Sequence, residues 1–220
     1  MRKLIAGLHK FQAHVFDTQR ALFERLATAQ NPDALFITCS DSRINPNLIT
    51  QTGPGDLFIM RNAGNIIPPH GAAAGGEAAT IEFAVAGLGV KDIIVCGHSN
   101  CGAVRALFHP EDIAGLPALT RWLSHADATR LIVKENYAEL APEDQVAVGV
   151  KENVLVQLEN LRTHPTVQAR IAAGKLNLHA WVYKIETGDV LCFDHAEQQF
   201  APLGTDVTPP TTSARRAVSI

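Results

Sequence analysis

The sequence lacks any long apolar run, although 46% of its 220 residues are hydrophobic. No stretch approaches the roughly 18 apolar residues of a membrane-spanning helix. The apolar segment after Lys3 stops at His9, which is too short for the core of a signal peptide. An excess of one charge is also missing, because the net charge of -3 favours neither nucleic acid nor an anionic membrane as a partner. We therefore expect a globular cytoplasmic protein.

Cysteine is scarce as well. Four cysteines are too few for a disulfide scaffold in a chain of this length, and no Cys-x-x-Cys pair supports thiol redox chemistry. Cys96 and Cys192 lie inside apolar segments, which is typical of buried, reduced thiols. The glycine-rich segment 62–76 is not followed by Gly-Lys-Ser/Thr, so it does not match a phosphate-binding loop. These absences argue against disulfide, redox and nucleotide chemistry.

Short apolar runs alternate with segments of helical periodicity along the chain. The predicted strands cover 35–39, 57–61, 92–97, 176–185 and 190–193, and the predicted helices cover 77–88, 102–108 and 143–162. This alternation predicts an α/β fold with a mainly parallel central sheet flanked by helices. The turn Glu186–Asp189 separates the last two strands and predicts a hairpin at one edge of the sheet.

The two ends of the chain differ from the middle. Residues 1–30 have apolar side chains at helical spacing and predict a helical arm whose apolar face includes Phe11, Phe16 and Phe23. This face either packs on the chain's own core, which is the commoner case, or covers a partner subunit. Residues 201–220 have no periodicity and predict a flexible tail. With no linker or internal repeat, we predict one domain over 1–200.

Chemically versatile side chains follow two of the predicted strands. The segment Cys39–Arg43 follows the first strand, and His98–Cys101 follows the strand over 92–97. Sites in open α/β sheets lie beyond the carboxyl ends of the strands, so we expect Cys39, His98 and Cys101 to meet. Two thiolates and an imidazole suit zinc and leave its fourth position open, as in catalytic zinc sites.

The carboxylate of Asp41 lies two residues from the first candidate ligand. Because two thiolates reduce the acidifying effect of zinc on bound water, the protein must supply a group that favours hydroxide. Asp41 can accept the proton of a hydroxide at the open position, and Arg43 can hold Asp41 ionised through a bidentate contact. Without Arg43, the carboxylate can instead take the open position and close the site.

These motifs together resemble the β-class carbonic anhydrases, most closely their plant-like, cyanobacterial, carboxysome-associated branch. The resemblance rests on Cys39–Arg43 and Gly97–Gly102, and it extends over Gly55–Phe58 and Arg61–Asn65. It implies a zinc lyase that reversibly hydrates CO2 to bicarbonate and a proton. Cys39, His98 and Cys101 would bind the ion, and Asp41 with Arg43 would orient the hydroxide.

The resemblance also implies a substrate pocket at a dimer interface. Gln30 would hydrogen-bond the substrate, and Phe58, Ala63 and the Gly102 amide would line the pocket. Gln30 and Phe58 would come from the partner subunit, which would explain the apolar arm. The expected assembly is a homodimer or a higher even oligomer, in the cytoplasm or within a carboxysome together with carboxysome proteins.

The sequence departs from the family pattern at two places. Phe36 occupies the position at which a bicarbonate-inhibited subgroup carries Trp, so we expect the uninhibited type. Phe83 and Gly87 replace a Tyr and a His that are suspected of proton transfer in plant-like members, and His70 is a weak substitute for them. The resemblance therefore predicts the hydration chemistry better than the route by which the proton leaves.

Two other functions remain open at this level. Hydrolysis of CS2 or COS on the same scaffold would differ in access and assembly, which the motifs do not reveal. A non-catalytic carboxysome assembly protein would have a structural zinc site closed by Asp41. The presence of Arg43 and Gln30 argues against this second alternative, because a structural site needs neither residue.

Overall fold

The computed structural model describes residues 1–72 and 75–203, and its centre is a sheet with the strand order β2-β1-β3-β4-β5-β6. The strands are β1 (Ala34–Cys39), β2 (Leu57–Asn62), β3 (Asp92–His98), β4 (Asn177–Tyr183), β5 (Val190–Asp194) and β6 (Gln199–Pro202). The four strands β2, β1, β3 and β4 are parallel, and β5 and β6 add antiparallel pairs at one edge. The predicted α/β class, the mainly parallel sheet and the C-terminal hairpin are confirmed.

Helices precede the sheet, connect its strands and cover it. They are α1 (Arg2–Lys10), α2 (Phe16–Thr18), α3 (Arg20–Leu26), α4 (Pro46–Thr50), α5 (Gly76–Glu82), α6 (Gly102–Phe108), α7 (Pro117–Leu123), α8 (Asp127–Asn136), α9 (Pro142–Arg162) and α10 (Pro165–Ala172). Shorter 3₁₀ turns occupy Ala63–Asn65, Pro110–Ile113 and Ser124–Ala126, and π-helical turns occupy Phe11–Val15 and Phe83–Leu88. No helix within residues 1–72 and 75–203 is long and apolar enough to cross a membrane.

The two faces of the sheet bury different sets of side chains. On the larger side, α9 packs Val150, Val154 and Leu158 against β-strand residues such as Ile37 and Val95. On the other side, a smaller cluster holds Phe36, Ile44, Ile94 and Cys96, with Trp181 packed against it. Because both faces are covered at the centre, every residue of β1 is buried. This explains why β1 is continuously apolar instead of alternating.

Three features differ from the sequence-based expectation. Strand β6 was not predicted, and it extends to Pro202, two residues into the predicted tail; residues 204–220 of that tail lie outside the described residues. Helix α10 was not predicted either. The helix expected over 77–88 is α-helical only to Glu82 and continues as a π-helical turn. The assignment of one domain to 1–200 stays a prediction.

The N-terminal arm does not pack on the core of its own chain. None of the residues in α1, α2 or α3 is buried, and Leu4 and Leu8 are 68% and 56% exposed. Phe11, Phe16 and Phe23 instead pack on one another, with ring centroids between 5.3 and 6.2 Å apart. The expectation that the arm covers its own core is therefore wrong for the described chain, and a large apolar face is left on its surface.

Candidate metal centre

The structure brings Cys39, His98 and Cys101 together at the carboxyl edge of the sheet. Strands β1 and β3 are parallel neighbours that end at Cys39 and His98, and Cys101 is the residue before α6. The two sulfur atoms are 3.9 Å apart, and the three ligand atoms lie within 4.8 Å of one another. All three side chains are buried. Parallel pairing thus places thiols that are 62 residues apart in sequence at one point.

The imidazole of His98 is oriented so that one nitrogen faces the two sulfurs. Its Nδ1 atom donates to the carbonyl of Ser99 at 2.9 Å, because a carbonyl can only accept. The lone pair of Nε2 is then available for a metal ion. Nε2 is buried and has no hydrogen-bond partner among the residues that the structure describes. A buried polar atom without a partner is costly unless a ligand completes it.

The two thiols share their proton unequally. The hydrogen bond with Cys101 lowers the pKa of Cys39 to about 4 against the opposing effect of burial, and the Gly64 amide donates to the Cys39 sulfur at 3.4 Å. The same sulfur–sulfur bond and burial raise the pKa of Cys101. A divalent cation that displaces the shared proton would gain two thiolates and one imidazole. This donor set fits zinc with an open fourth position.

Asp41 lies beside this group and is held by Arg43. The Arg43 Nε and Nη2 atoms donate to Oδ1 and Oδ2 of Asp41 at 2.9 and 2.7 Å, and the Arg43 amide donates to Oδ1 at 2.9 Å. These bonds hold the pKa of Asp41 well below its usual range, although burial opposes the shift. Asp41 Oδ2 is 3.8 Å from His98 Nε2. An ionised, oriented carboxylate therefore lies next to the candidate metal ligands.

Two of the four predicted pocket residues lie close to these ligands in the same chain. Ala63 directly precedes Gly64, whose amide reaches the Cys39 sulfur, and the Ala63 carbonyl accepts from Trp122 Nε1 at 2.8 Å. Gly102 follows Cys101 as the first residue of α6. Both therefore lie at the carboxyl ends of the strands, where the candidate metal ligands are.

The other two predicted pocket residues, Gln30 and Phe58, lie towards the amino ends of the parallel strands. Gln30 is exposed and precedes β1, and Phe58 pairs with Leu35 near the start of that strand. At about 3.3 Å per residue, four residues of β1 separate this pairing from Cys39 by roughly 13 Å. One copy of the chain therefore does not bring Gln30 and Phe58 to the candidate metal ligands.

A polar stripe on α9, not predicted from the sequence, supports the loop after β2. Its buried members are Asn153 and Gln157, continued by Asn160 and by His164 before α10. They bond backbone groups of Gly64, Ile67 and Pro68 at 2.7 to 3.1 Å. The spacing of three or four residues was a usable signal, but polar side chains at that spacing are usually solvated.

The two positions of the interrupted proton route are also located. Phe83 is exposed on the π-helical turn and lies 5.9 Å from Phe58 between ring centroids. Gly87 lies on the same π-helical turn. His70, the weak substitute for the missing proton carriers, is exposed, and its ring lies 5.8 Å from the ring of His164. The Phe58–Phe83 contact gives an apolar surface with no group that can carry a proton.

Comparison with known proteins agrees with this site. Residues 34–190 match the family model described as Carbonic anhydrase. A carbonic anhydrase of Synechocystis is 51% identical over 91% of this chain and 73% of the relative. One of Pseudomonas aeruginosa is 48% identical over 92% of both chains. Among solved structures, the β-carbonic anhydrase CcaA has a TM-score of 0.90 at 50% identity, covering 92% of this chain and 99% of that one.

The chain belongs to the carbonic anhydrase family, in its β class. It is a zinc enzyme that catalyses the reversible hydration of CO2 to bicarbonate and a proton. The predicted family, activity and cofactor are confirmed. The alternatives, hydrolysis of CS2 or COS and a non-catalytic assembly role, gain no support from these relatives.

Proposed function

We propose that Cys39, His98 and Cys101 hold the zinc ion and that Asp41 orients the nucleophile of the hydration reaction. The observation that carries this proposal is the buried group of two sulfurs and an unpartnered His98 Nε2, with the Asp41 carboxylate beside it. Bound zinc would act as a Lewis acid that makes a water molecule acidic enough to serve as nucleophile near neutral pH.

Asp41 contributes direction to this chemistry. As an ionised carboxylate it can only accept hydrogen bonds, so it takes one from the nucleophile and turns the reacting lone pair towards CO2. Arg43 occupies both carboxylate oxygens, and this argues against Asp41 as a fourth metal ligand. The Gly102 amide, at the start of α6, is suited to donate to a substrate oxygen as negative charge develops there.

We further propose that the active site is shared between two copies of the chain, in a homodimer or a higher even oligomer. Gln30 and Phe58 lie towards the amino ends of the strands, whereas the zinc ligands lie at the carboxyl ends. These two residues can therefore complete a pocket only in a neighbouring subunit. The unburied apolar face of the arm supports the same assembly, because such a face is normally covered by a partner. Tetrameric β-carbonic anhydrases of Sordaria macrospora, 30% identical with a TM-score of 0.79, are structural relatives.

A complementation experiment tests the shared site. Gln30→Ala and Cys101→Ser are each expected to lose most activity, the first through the substrate contact and the second through the metal. When the two variants are unfolded, mixed and refolded with zinc, a mixed dimer regains one complete site. Random pairing should restore about a quarter of wild-type activity, since half the dimers are mixed and each has one complete site of two.

The control for this experiment is refolding of each variant alone. Activity that stays at the level of the separate variants, in mixed dimers verified by mass spectrometry, would show that each chain builds its own complete site. Light scattering on the wild-type enzyme gives the number of subunits independently.

We propose the cytoplasm as the location of the enzyme. The carboxysome is the alternative, supported by the similarity to relatives from the cyanobacteria Synechocystis and Synechococcus elongatus at 51% and 52% identity. In that location carboxysome proteins would be its partners. Fractionation of the source cells distinguishes the two, because a carboxysomal enzyme sediments with the particles.

A further inference from the structure

A second arginine, Arg61, contacts the loop that links Cys39, the first proposed zinc ligand, to the Asp41–Arg43 pair. Its Nε atom donates to the Cys39 carbonyl at 3.0 Å. Its Nη2 atom donates to the carbonyls of Asp41 and Ile44 at 2.7 and 3.0 Å. One guanidinium group thus binds three main-chain carbonyls of the Cys39–Ile44 loop. In the sequence Arg61 is only one residue of a family motif, and no role was predicted for it.

The position of Arg61 follows from the pairing of β1 with β2. Arg61 is the penultimate residue of β2 and pairs with Thr38, directly before Cys39. Its side chain lies on the face of β2 that carries Ile59 rather than the face that carries buried Met60, because side chains alternate along a strand. From there it reaches across the end of β1 to the loop that follows. The neighbouring backbone bond from the Ser40 amide to the Asn62 carbonyl, at 2.8 Å, fixes the same junction.

The two arginines bind different parts of this loop. Arg43 binds the Asp41 carboxylate and also donates to the Asn100 carbonyl at 3.0 Å, which links the loop to the segment before Cys101. Arg61 binds the backbone on both sides of Asp41. Without Arg61, Asp41 and Arg43 would still bind each other, but the distance between this pair and the zinc ligands would be less well fixed.

We propose that Arg61 is a positioning residue for hydration: it fixes Asp41 and the Cys39 ligand relative to each other. This inference rests on the proposed roles of Cys39 and Asp41. The proposal requires the fork of a guanidinium and not only a positive charge, because the three carbonyls are bound through two different nitrogen atoms. A lysine ammonium in its place would offer donors from a single point.

The test compares Arg61→Lys and Arg61→Ala with the wild-type zinc enzyme. Arg130→Lys is a matched control, since Arg130 is a partly exposed arginine in α8 that pairs with Asp127 at 3.2 Å and has no bond to the Cys39–Ile44 loop among those of the described residues. Loss of groups that orient metal ligands typically lowers activity or metal affinity by about 10- to 100-fold. We expect a decrease of that size in kcat for Arg61→Lys, and at least as much for Arg61→Ala, with the control unchanged.

Three readouts distinguish positioning from a merely structural role. The rate at which a chelator removes zinc should rise in Arg61→Lys, while its thermal unfolding temperature with zinc bound stays near that of the wild type. The visible spectrum of the cobalt-substituted variant should shift, because the Cys39 sulfur is held less firmly. Added guanidinium ion should restore part of the activity of Arg61→Ala but not of Arg61→Lys.

Wild-type kcat and zinc-loss rate in Arg61→Lys would overturn the proposal. A general drop in unfolding temperature without a cobalt spectral shift would also overturn it, since that result describes a structural residue. The zinc-loss and cobalt readouts do not depend on the chemical role of Asp41. Failure of the Arg61 proposal is therefore distinguishable from failure of the proposed mechanism, which Asp41→Asn tests with Arg61 intact.

Discussion

Asp41→Asn replaces one carboxylate oxygen with an amide nitrogen and leaves the side chain almost unchanged in size. An amide nitrogen donates and does not accept, so the variant can no longer both receive Arg43 and take a hydrogen bond from the nucleophile. The three proposed zinc ligands are untouched, because Asp41 Oδ2 lies 3.8 Å from His98 Nε2 and is bound by Arg43. The change therefore separates orientation of the nucleophile from binding of the metal.

The expected loss is large because the lost interaction acts on the reacting group itself. Removing one positioned hydrogen-bond partner from such a group costs about 3–4 kcal/mol of transition-state stabilisation, or about 10²–10³-fold in kcat. The Arg43 side chain is 48% accessible. Water can therefore solvate its guanidinium group when the carboxylate is removed, so we expect no additional loss of activity from an unpaired charge. Stopped-flow CO2 hydration with a pH indicator measures the rate, and atomic absorption measures zinc per chain.

Asp127→Asn is the matched control, since it breaks another Asp–Arg pair, with Arg130, in α8. We expect wild-type activity from this control. Near wild-type hydration by Asp41→Asn, at one zinc per chain, would refute the orienting role. Loss of zinc from Asp41→Asn would instead identify Asp41 as a metal ligand and the site as closed.

Three further changes test the metal ligands, the packing behind them and the pH response. Cys101→Ser should reduce zinc well below one per chain, because serine replaces a thiolate with a poor ligand; full zinc occupancy after dialysis would contradict the assignment. Gly97→Ala should lower the free energy of unfolding by about 1–3 kcal/mol, because the added Cβ would meet Val154 Cγ2 at 2.8 Å. Urea titration measures this change. An unchanged urea midpoint would exclude a tight contact between β3 and α9. Burial lowers the pKa of His164 below its unfolded value, so the unfolded chain binds the proton more tightly and stability should fall as pH drops below about 6.5. In urea titrations between about pH 5 and pH 7, the unfolding free energy of His164→Gln should depend less on pH than that of the wild type. An equal pH dependence in the two proteins would contradict this account.

The fold class and the chemistry of the candidate metal site follow from patterns in the amino-acid sequence. Apolar runs predicted β1, β2 and β3 within one or two residues, because strands buried on both faces leave little choice of side chain. In a mainly parallel sheet the carboxyl ends of β1 and β3 lie on the same side, so their polar residues were expected to meet, and the structure pairs the two strands directly. Zinc ligands at two such ends could therefore be paired without coordinates.

Less regular elements could not be predicted in the same way. Strand β6 has only four residues and forms because β5 offers an open edge. The polar stripe of α9 has the spacing of a solvated helix face, and only tertiary contact with the loop after β2 makes it a buried one. The arm has the periodicity of a core helix, yet no core of its own chain lies against it.

The support of the site and the incompleteness of one chain emerge only from the folded structure. The bonds from Arg61 to three carbonyls depend on the register of β2 against β1, which a single sequence does not encode in any local pattern. The separation of Gln30 and Phe58 from the zinc ligands follows from the length of β1. Local patterns specify which side chains are present, whereas strand register and packing set the distances between them, and this reaction depends on those distances.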